Sequence, residues 1–470
     1  MIRSIVWFRN DLRLHDNEAL TQALETSEEI IPVYIFDERL FNGETRYGFP
    51  KLGKFRAKFI YDSIKDLSES IYSKGGFLIT ELGQPEELLF NLCRKYNARW
   101  VYCNRERTQE EITVQDALEV KLWSIGAEMR YCRGKMLYHT ADLPFPITHT
   151  PDYFTQYRKE VEKLVPVRKP LPTPTTIRTP ELVDPIKMTS KEELGIEDFI
   201  IKKGLNLVGG EQAALKELNY YLFESKLVSK YKETRNELLG RDFSSKFSAF
   251  LSKGCLSAKL IMSSLQEYET EFGANESTYW LFFELLWRDY FRLIAKKYGN
   301  LIFRKEGLKI RSKTKTESSE DWALFTIWKE GRTGIPFIDA NMKELNETGF
   351  MSNRGRQNVA SFLIHELGLN WQMGAEYFES QLIDYDPCSN YGNWNYLAGV
   401  GTDPKGDRHF NITYQSQKYD PNSEYIKFWL PELQNLPVDK IHDMSNFLEQ
   451  DELDYCLRIG KDYPKACVRL

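Results

Sequence analysis

The sequence contains few cysteines, and no two of them are close together in the sequence. There are 7 cysteines in 470 residues, with no CxxC motif: Cys93, Cys103, Cys132, Cys255, Cys388, Cys456 and Cys467. Scattered single thiols are typical of a reducing compartment and argue against a clustered zinc or iron–sulfur site. We therefore expect a cytoplasmic protein without a bound metal.

Long apolar runs and an export signal are also missing. The N-terminal segment reaches Arg9 and Asp11 after only a short apolar run, which is not the pattern of a signal peptide. No segment approaches the ~20 apolar residues of a membrane-spanning helix. A composition of 42% hydrophobic and 28% charged residues is typical of soluble globular proteins. We expect no membrane partner, and we expect a monomer.

Positive charge is not in excess. The formal net charge of −5 argues against a protein that coats nucleic acid non-specifically. It is compatible with a local basic groove, because phosphate binding depends on the local field. Aromatic residues are plentiful at 14%, and two interpretations fit them: large cores, or stacking surfaces and electron-hopping stations.

The N-terminal region alternates strand and helix patterns. Short buried strands are predicted at Ser4–Phe8, Ile30–Phe36, Phe77–Leu82, Trp100–Cys103 and Met129–Cys132, and helices at Lys54–Ser73, Glu86–Tyr96 and Thr113–Ile125. This alternation predicts a parallel sheet with helices on both faces. Asp16 is the predicted N-cap of a helix beginning at Asn17. The dinucleotide-binding motif GxGxxG does not follow the first strand.

The pattern changes twice along the rest of the chain. Proline-rich segments after residue 140 predict an extended connection, and beyond Gly209–Gly210 the pattern is helical almost throughout. We therefore predict a Rossmann-like α/β domain over residues 1–135, an interdomain linker over 136–205 and an all-α domain over 206–470. The length is consistent with about three domains, or with two large ones and a linker.

The segment from Gly331 to Gly401 has a composition that core packing does not require. Charged and amide side chains alternate there with large aromatic ones: Asn353, Arg354, Arg356, Gln357, Trp371, Asp384, Asp386, Asn390, Asn393, Trp394 and Tyr396. Such polar groups are seldom buried unless they are paired. The pattern indicates a polar, ring-shaped ligand held inside the protein.

Two further segments suggest binding chemistry. Ser244, Ser245, Lys246 and Ser248 concentrate hydroxyl groups and one cation, which is typical either of a diphosphate site or of a serine-rich helix cap. Apolar residues repeat at helical spacing from Trp280 to Ile294. Glu284 lies on that stripe, either paired with Arg288 one turn later or facing a cavity beside Trp287.

Many sequence motifs, in the same order along the chain, resemble those of the photolyase/cryptochrome flavoprotein family and, within it, the DASH cryptochromes. The resemblance runs from VWFRNDLRLHDNEAL near the N-terminus, through the Gly331–Gly401 segment, to YIKFWLPEL near the C-terminus. It implies non-covalent FAD in the helical domain. The implied FAD-binding residues are Tyr231, Ser244, Ser245, Lys246, Phe247, Ser248, Arg356, Asp384, Asp386 and Asn390.

The resemblance also implies a substrate pocket and an electron-transfer chain. Residues matching the dimer-binding positions are Glu284, Trp287, Asn353, Gln357 and Tyr396. Trp371 and Trp394 match the inner two tryptophans of the family's chain from the surface to the flavin, and Asn390 matches the position that faces flavin N5. We therefore expect Glu284, Asn353, Asn390, Trp371 and Trp394 to carry the chemistry. The outer tryptophan is replaced by Ser318, and Trp322, another aromatic residue, or a shortened chain are the alternatives.

In the α/β domain, Gln109 and Glu110 match the amide–acid pair that binds a 5,10-methenyltetrahydrofolate antenna in DASH proteins. As bare sequence, an acidic helix start is common. The resemblance implies a folate chromophore in a cleft between the two domains.

The implied activity is light-driven DNA repair, in which blue light excites FADH⁻, an electron passes to a cyclobutane pyrimidine dimer, and the electron returns after the ring splits. Asn353 and Gln357 replace the histidine pair of (6-4) photolyases. Gln357 and Tyr396 replace the Met and Trp of cyclobutane-dimer photolyases, as in DASH proteins. This weakens a stacking platform, so we expect single-stranded DNA to be preferred over duplex.

The alternative function is a blue-light photoreceptor with little repair activity. Signalling cryptochromes usually carry long C-terminal extensions, and the segment after Leu433 is short, which disfavours this alternative. A flavoprotein oxidoreductase would need a nicotinamide site, for which no fingerprint is visible.

Overall fold

The structure is a computed structural model that describes residues 1–181, 188–308, 317–403, 406, 408–447, 449–455 and 457–470. Cys456 and residues 182–187 of the predicted linker lie outside the described residues. The strands are β1 Arg3–Phe8, β2 Glu29–Asp37, β3 Ile79–Gly83, β4 Trp100–Asn104 and β5 Glu128–Cys132.

The helices of the described chain fall into two groups. Those up to residue 164 are α1 Glu18–Thr26, α2 Glu38–Phe41, α3 Lys54–Ser73, α4 Pro85–Tyr96, α5 Gln109–Trp123 and α6 Phe154–Leu164. The later ones are α7 Glu211–Asn219, α8 Tyr231–Thr234, α9 Phe247–Lys253, α10 Ala258–Phe272, α11 Glu276–Tyr298, α12 Ser319–Lys329, α13 Pro336–Thr348, α14 Asn353–Ser361, α15 Trp371–Gln381, α16 Pro387–Leu397, α17 Ile412–Tyr419, α18 Glu424–Trp429, α19 Val438–His442 and α20 Glu449–Tyr455.

The five strands form one parallel sheet in the order β3-β2-β1-β4-β5. The central strands are apolar on both faces, as Ile5 and Val6 on β1 illustrate, because helices cover both sides of a parallel sheet. Each predicted strand is present to within two residues of its predicted bounds. The predicted fold class, an α/β region followed by a helical one, is confirmed.

Two predicted helix starts were wrong. Asn17, not Asp16, caps α1, since its side-chain oxygen accepts a hydrogen bond from the Leu20 amide. Asp16 has a left-handed backbone with φ of 45° and pairs with the Lys259 ammonium instead. Helix α5 begins at Gln109 rather than at Thr113.

The segment expected to be extended contains an eleven-residue helix, α6. Its buried residues Phe154, Tyr157 and Val161 follow helical spacing, and prolines on both sides obscured that short pattern. Phe154 stacks on Trp287 of α11, with ring centroids 3.7 Å apart. The connection is therefore packed against the helical region.

Helix α11 runs through the helical region and packs against α6, α8, α10 and α16. Buried polar pairs join this region to the α/β part: His15 lies 2.5 Å from Glu211, and Asp16 lies 2.7 Å from Lys259. Among the described residues, no helix is both long and apolar enough to cross a membrane.

Candidate functional site: two cavities that share a wall

The helical region encloses a cavity of about 270 Å³, called here the central cavity. It brings together residues predicted from the sequence that are up to 163 positions apart, from Tyr231 to Trp394. The predicted site residues that line it are Tyr231, Ser244, Ser245, Lys246, Phe247, Ser248, Glu284, Asn353, Arg356, Gln357, Asp384, Asp386, Asn390 and Trp394.

Part of the central cavity lining is the serine-rich segment at the start of α9. Lys246 is 3% exposed, and its ammonium donates to the Ser244 hydroxyl at 2.9 Å above the Phe243 ring. Burial lowers its pKa to about 7, although Glu344 raises it. A buried lysine that is bonded to a serine hydroxyl and followed by the cavity-lining Ser248 suits a phosphate-bearing ligand.

A bidentate ion pair also lines the cavity. The Arg356 guanidinium donates to both carboxylate oxygens of Asp384, at 3.0 and 2.9 Å. Its Nε donates to the Met351 carbonyl at 2.9 Å, which fixes the plane of the group. The Asp384 side chain is 3% exposed and that of Arg356 is 25% exposed, so the pair presents a fixed polar surface to the cavity.

Helix α16 contributes a third set of groups. Asp386 caps the helix by accepting from the Ser389 amide at 2.9 Å, and Asn390 donates to the Ala375 carbonyl at 3.0 Å. Sequence reasoning missed the partner of Asp386, which is Arg292 of α11, at 3.0 Å. Arg292 stands one turn beyond Arg288 on α11, and an arginine between Phe291 and Leu293 on a largely apolar stretch was the available signal.

Glu284 also lines the central cavity. Its partner is Arg235, whose guanidinium lies 4.3 Å above the Trp280 ring. The interpretation that paired Glu284 with Arg288 was wrong, because Arg288 donates to the carbonyls of Lys135 and Leu251. Loss of hydration raises the pKa of Glu284, and Arg235 opposes that shift.

Two buried polar atoms on the cavity lining have no partner within the described residues: Gln357 Oε1 and Arg235 Nε. A buried polar atom without a partner is costly, and these atoms are available to a ligand. Together with Lys246, the neighbouring serines and the Arg356–Asp384 pair, these two atoms fit a ligand that carries a diphosphate and a hydrogen-bonding ring system. FAD is such a ligand.

Trp287 and Tyr396, predicted to line the substrate pocket, are not among the residues that line the central cavity. Phe154 covers one face of Trp287, and Tyr396 meets Trp287 edge-on with centroids 6.0 Å apart. Arg408 donates to the Tyr396 hydroxyl at 2.5 Å and lies over its ring. Both rings are thus packed beside the cavity instead of inside it.

The three tryptophans considered for electron transfer differ in their relation to the cavity. Trp394 lines it, whereas Trp371 does not, and the Trp371 indole donates to the Lys305 carbonyl at 2.9 Å. Ser318 caps α12. Trp322 lies within that helix, its ring 5.8 Å from the Tyr47 ring.

A second cavity of about 760 Å³, the junction cavity, lies between the α/β and helical parts. Gln109 and Glu110 both line it, and Glu110 pairs with Lys51 at 2.5 Å. An amide and a carboxylate in a cleft are suited to the polar edge of a pterin, so the residues fit a folate. Tyr385 and Asp386 line both cavities.

Two family models match the chain. The model for the FAD binding domain of DNA photolyase matches residues 280–470, and the model for DNA photolyase matches residues 4–175. The first of these regions contains most of α11, all of α12 to α20 and most of the central cavity lining. The second contains the sheet except for its first residue, Arg3.

Curated relatives and solved structures agree with those models. Cryptochrome DASH of Gloeobacter violaceus is 46% identical over 468 residues, covering 99% of this chain and 93% of that protein. Cryptochrome DASH of Arabidopsis thaliana is 45% identical over 451 residues, covering 95% and 79%. The crystal structure of a Synechocystis cryptochrome has a TM-score of 0.95 at 44% identity and covers 100% and 97% of the two chains.

A more distant structure has the same fold. A class III photolyase from Agrobacterium tumefaciens has a TM-score of 0.83 at 26% identity and covers 100% of this chain and 94% of its own. The chain therefore belongs to the photolyase/cryptochrome family of blue-light flavoproteins and is similar over nearly its whole length to DASH cryptochromes.

Proposed function

We propose that this protein is a deoxyribodipyrimidine photolyase-type lyase that uses blue light to split cyclobutane pyrimidine dimers, with single-stranded DNA as its preferred substrate. The observation that carries the proposal is the position of Glu284. It lines the same cavity as Lys246, the neighbouring serines and the Arg356–Asp384 pair. A carboxyl group that can bind a nucleobase therefore faces the same cavity as the groups that can bind FAD.

In this proposal, the chain's own residues hold FAD without a covalent bond. Ser244, Ser245 and Ser248 donate hydroxyl hydrogens to the diphosphate, and Lys246 supplies the charge. Arg356 and Asp384 fix the polar surface beside the ring system. When bound in its reduced form, FAD supplies under blue light the electron that opens the cyclobutane ring and takes that electron back.

Glu284 and its neighbours bind the dimer. Because the pKa of Glu284 is raised, the carboxyl group can share a proton with a pyrimidine carbonyl at lower cost than an exposed acid. Gln357 offers its unpartnered Oε1 to a base N–H, and Asn353 lies one turn before it on α14. The pocket therefore recognises the polar edges of the bases.

The preference for single strands follows from the missing stacking surface. Flipping a dimer out of a duplex costs a few kcal/mol, and stacking on an aromatic side chain returns about 1–3 kcal/mol per base. Here Tyr396 is held beside the cavity by Arg408, and Phe154 occupies one face of Trp287. Stacking in the pocket therefore offsets little of the free-energy cost of flipping a dimer out of a duplex. A dimer in a single strand does not require that cost.

The second part of the proposal is a folate antenna in the junction cavity. Gln109 and Glu110 would bind 5,10-methenyltetrahydrofolate there, beside Lys51. Reconstitution followed by near-ultraviolet absorption tests this assignment. Equal folate uptake by a Glu110→Ala variant would remove Glu110 from the site.

Repair is tested by illuminating the purified, reduced protein with oligonucleotides that contain one defined dimer. We expect cyclobutane dimers to be repaired faster in single strands than in duplex, and (6-4) products to be untouched. Glu284→Gln should depress repair and leave the flavin spectrum intact. Glu276→Gln is the matched control, because Glu276 lies on the same helix but pairs with Lys232 at the surface.

Each outcome of that experiment is decisive for one part of the proposal. Equal repair of single-stranded and duplex dimers would contradict the argument from Tyr396 and Trp287. Absence of repair in both, with the flavin confirmed as reduced, would favour the photoreceptor alternative.

A further inference from the structure

The two cavities are separated by a thin wall. Tyr385 and Asp386 line both of them. On the junction side, the Arg56 guanidinium lies 4.7 Å from the Tyr385 ring. Any ligand in either cavity therefore lies close to the same two residues.

Arg292 connects this wall to the α/β part. It is 4% exposed; one terminal nitrogen donates to Asp386 at 3.0 Å and the other to Glu106 at 3.3 Å. Glu106 follows β4, and its side chain is 2% exposed. Burial alone would raise the pKa of Glu106, but Lys135 and Arg292 bring it far below the usual range.

The same arginine is bonded to the residue that caps helix α16. Asp386 uses one carboxylate oxygen to accept from Arg292 and the other to cap α16 at the Ser389 amide. Helix α16 carries Asn390 and Trp394, which line the central cavity. A shift of Arg292 would therefore be transmitted to the first turn of that helix.

We propose that Arg292 is a positioning residue that couples ligand binding in the junction cavity to FAD binding in the central cavity, through Glu106 on one side and Asp386 on the other. The inference rests on the proposed placement of FAD and folate in these cavities. Because coupling between two binding sites is reciprocal, each ligand should tighten the binding of the other.

The sign of the coupling follows from conformational order. Glu106, Arg292 and Asp386 all line the junction cavity, so a ligand that fills it restricts their motion, and a second ligand that needs the same arrangement then loses less conformational entropy on binding. Arg292 is then held more firmly against Asp386, and the first turn of α16 is fixed in its FAD-binding position. We expect folate to lower the FAD dissociation constant by about fivefold, at the lower end of typical coupling.

The test uses the full-length protein in the dark. FAD release is followed by the recovery of flavin fluorescence after dilution, with and without saturating 5,10-methenyltetrahydrofolate. Folate binding is monitored separately by its near-ultraviolet absorption. Wild type should release FAD about fivefold more slowly with folate, within the usual range of linked sites.

Two variants locate the link. Arg292→Lys keeps the charge, but one ammonium cannot span both carboxylates as a guanidinium does, so the folate effect on FAD release should disappear. Glu106→Gln keeps the shape of the side chain and should reduce the effect if Arg292→Lys does not fold. Arg288→Lys is the control, because Arg288 lies one turn earlier but donates to backbone carbonyls, and it should retain the full effect.

The inference is overturned if folate binds to wild type without changing FAD release, if folate does not bind, or if both Arg292→Lys and Glu106→Gln keep the effect. It is also overturned if Arg288→Lys loses the effect to the same degree, since that would indicate general loosening of the junction. Dimer repair under light is measured in parallel. Repair without coupling refutes the inference alone, and coupling without repair refutes the proposed function alone.

Discussion

Single residues of the central cavity solve the problem of buried charge in two different ways. Arg356 has a full protein partner in Asp384, whereas Lys246 makes no ion pair with a carboxylate among the described residues. A paired buried charge stabilises the fold only while both partners are present. An unpaired one costs stability until a ligand neutralises it. The first arrangement therefore supports the protein, and the second is suited to binding.

Replacing Asp384 by Ala should destabilise the FAD-free protein by about 2–4 kcal/mol, because Arg356 would keep its charge without a partner. The expected loss is below that of a fully buried pair, since a quarter of the Arg356 side chain is exposed. Chemical denaturation of the FAD-free protein measures it. Asp384→Asn keeps the shape and an acceptor and should lose less. An unchanged unfolding free energy together with normal FAD content in Asp384→Ala would refute the assignment.

The lowered pKa of Lys246 leads us to expect that FAD binding depends on pH. Burial lowers its pKa from 10.5 to about 7, so in the FAD-free protein the ammonium is charged below pH 7 and increasingly neutral above it. A bound diphosphate favours the charged form, and binding must then take up a proton. The FAD dissociation constant should rise between pH 7 and 9, by at most about tenfold per pH unit.

The same shift predicts the stability of the FAD-free protein. Between pH 7 and 10.5 the unfolded chain holds a proton on Lys246 that the folded chain has lost, so this residue's contribution makes stability rise with pH in that window. The pKa of buried Glu344 is raised to about 7, so Glu344 titrates nearby. The test is therefore the difference between wild type and Lys246→Met. If both proteins bind FAD with the same pH profile, Lys246 does not hold the diphosphate.

At the scale of secondary-structure elements, the predictable parts of the fold were those with a local pattern. The five strands are short segments separated by helical ones, and each was found within two residues. Helix α6 was missed because only Phe154, Tyr157 and Val161 mark it. The N-cap of α1 was misplaced by one residue, because Asp16 and Asn17 are equally suited to capping, and a contact with Lys259 far along the chain decided between them.

The candidate site divided in a similar way. Residues carried by continuous motifs, such as Ser244–Ser248 and Arg356, Asp384 and Asn390, were brought to one cavity. Long-range partners were not found in advance: Arg235 for Glu284, Arg292 for Asp386, and Phe154 for Trp287. No local pattern specifies a contact between residues so far apart in sequence, because packing of α11 against its neighbours creates it.

Helices α15 and α16 carry Trp371 and Trp394, which we expect to pass electrons to the flavin during photoreduction, and α12 carries Trp322. Trp394→Phe and Trp371→Phe should each slow reduction of the oxidised flavin under blue light with an external reductant. Repair by enzyme reduced beforehand should change little, since repair does not draw on the surface chain. Absorption spectra during illumination measure the first effect.

Trp322 provides the internal comparison for that experiment. It lies on α12 four residues after Ser318, and its ring is close to Tyr47. If Trp322 is the outermost member of the electron-transfer chain, Trp322→Phe should slow photoreduction as the substitutions of Trp371 and Trp394 do. Photoreduction at the wild-type rate would exclude Trp322 from the chain and indicate that another residue connects it to the surface. A wild-type rate in Trp394→Phe would refute the chain as a whole.

At the scale of the whole molecule, the net charge of −5 means that the proposed binding of DNA depends on local positive charge. Arg354 is the second residue of α14, between Asn353 and Arg356 of the cavity lining. Its side chain is partly exposed, and a terminal nitrogen donates to Asn236 at 3.1 Å. Its positive charge and its position beside Asn353 make it a candidate for a phosphate of the DNA backbone.

Binding of dimer-containing single-stranded DNA should therefore weaken as salt is added, since each neutralised phosphate releases counterions. Arg354→Gln should reduce the slope of log affinity against log salt concentration by about 0.7, the value for one phosphate contact on a single strand. Fluorescence anisotropy at several salt concentrations measures both slopes. Arg458→Gln is the control, because it makes the same change in net charge at an exposed site paired with Asp462. If the two variants change the slope equally, net charge governs binding and Arg354 makes no specific contact; if neither changes it, the phosphate groove lies elsewhere on the surface.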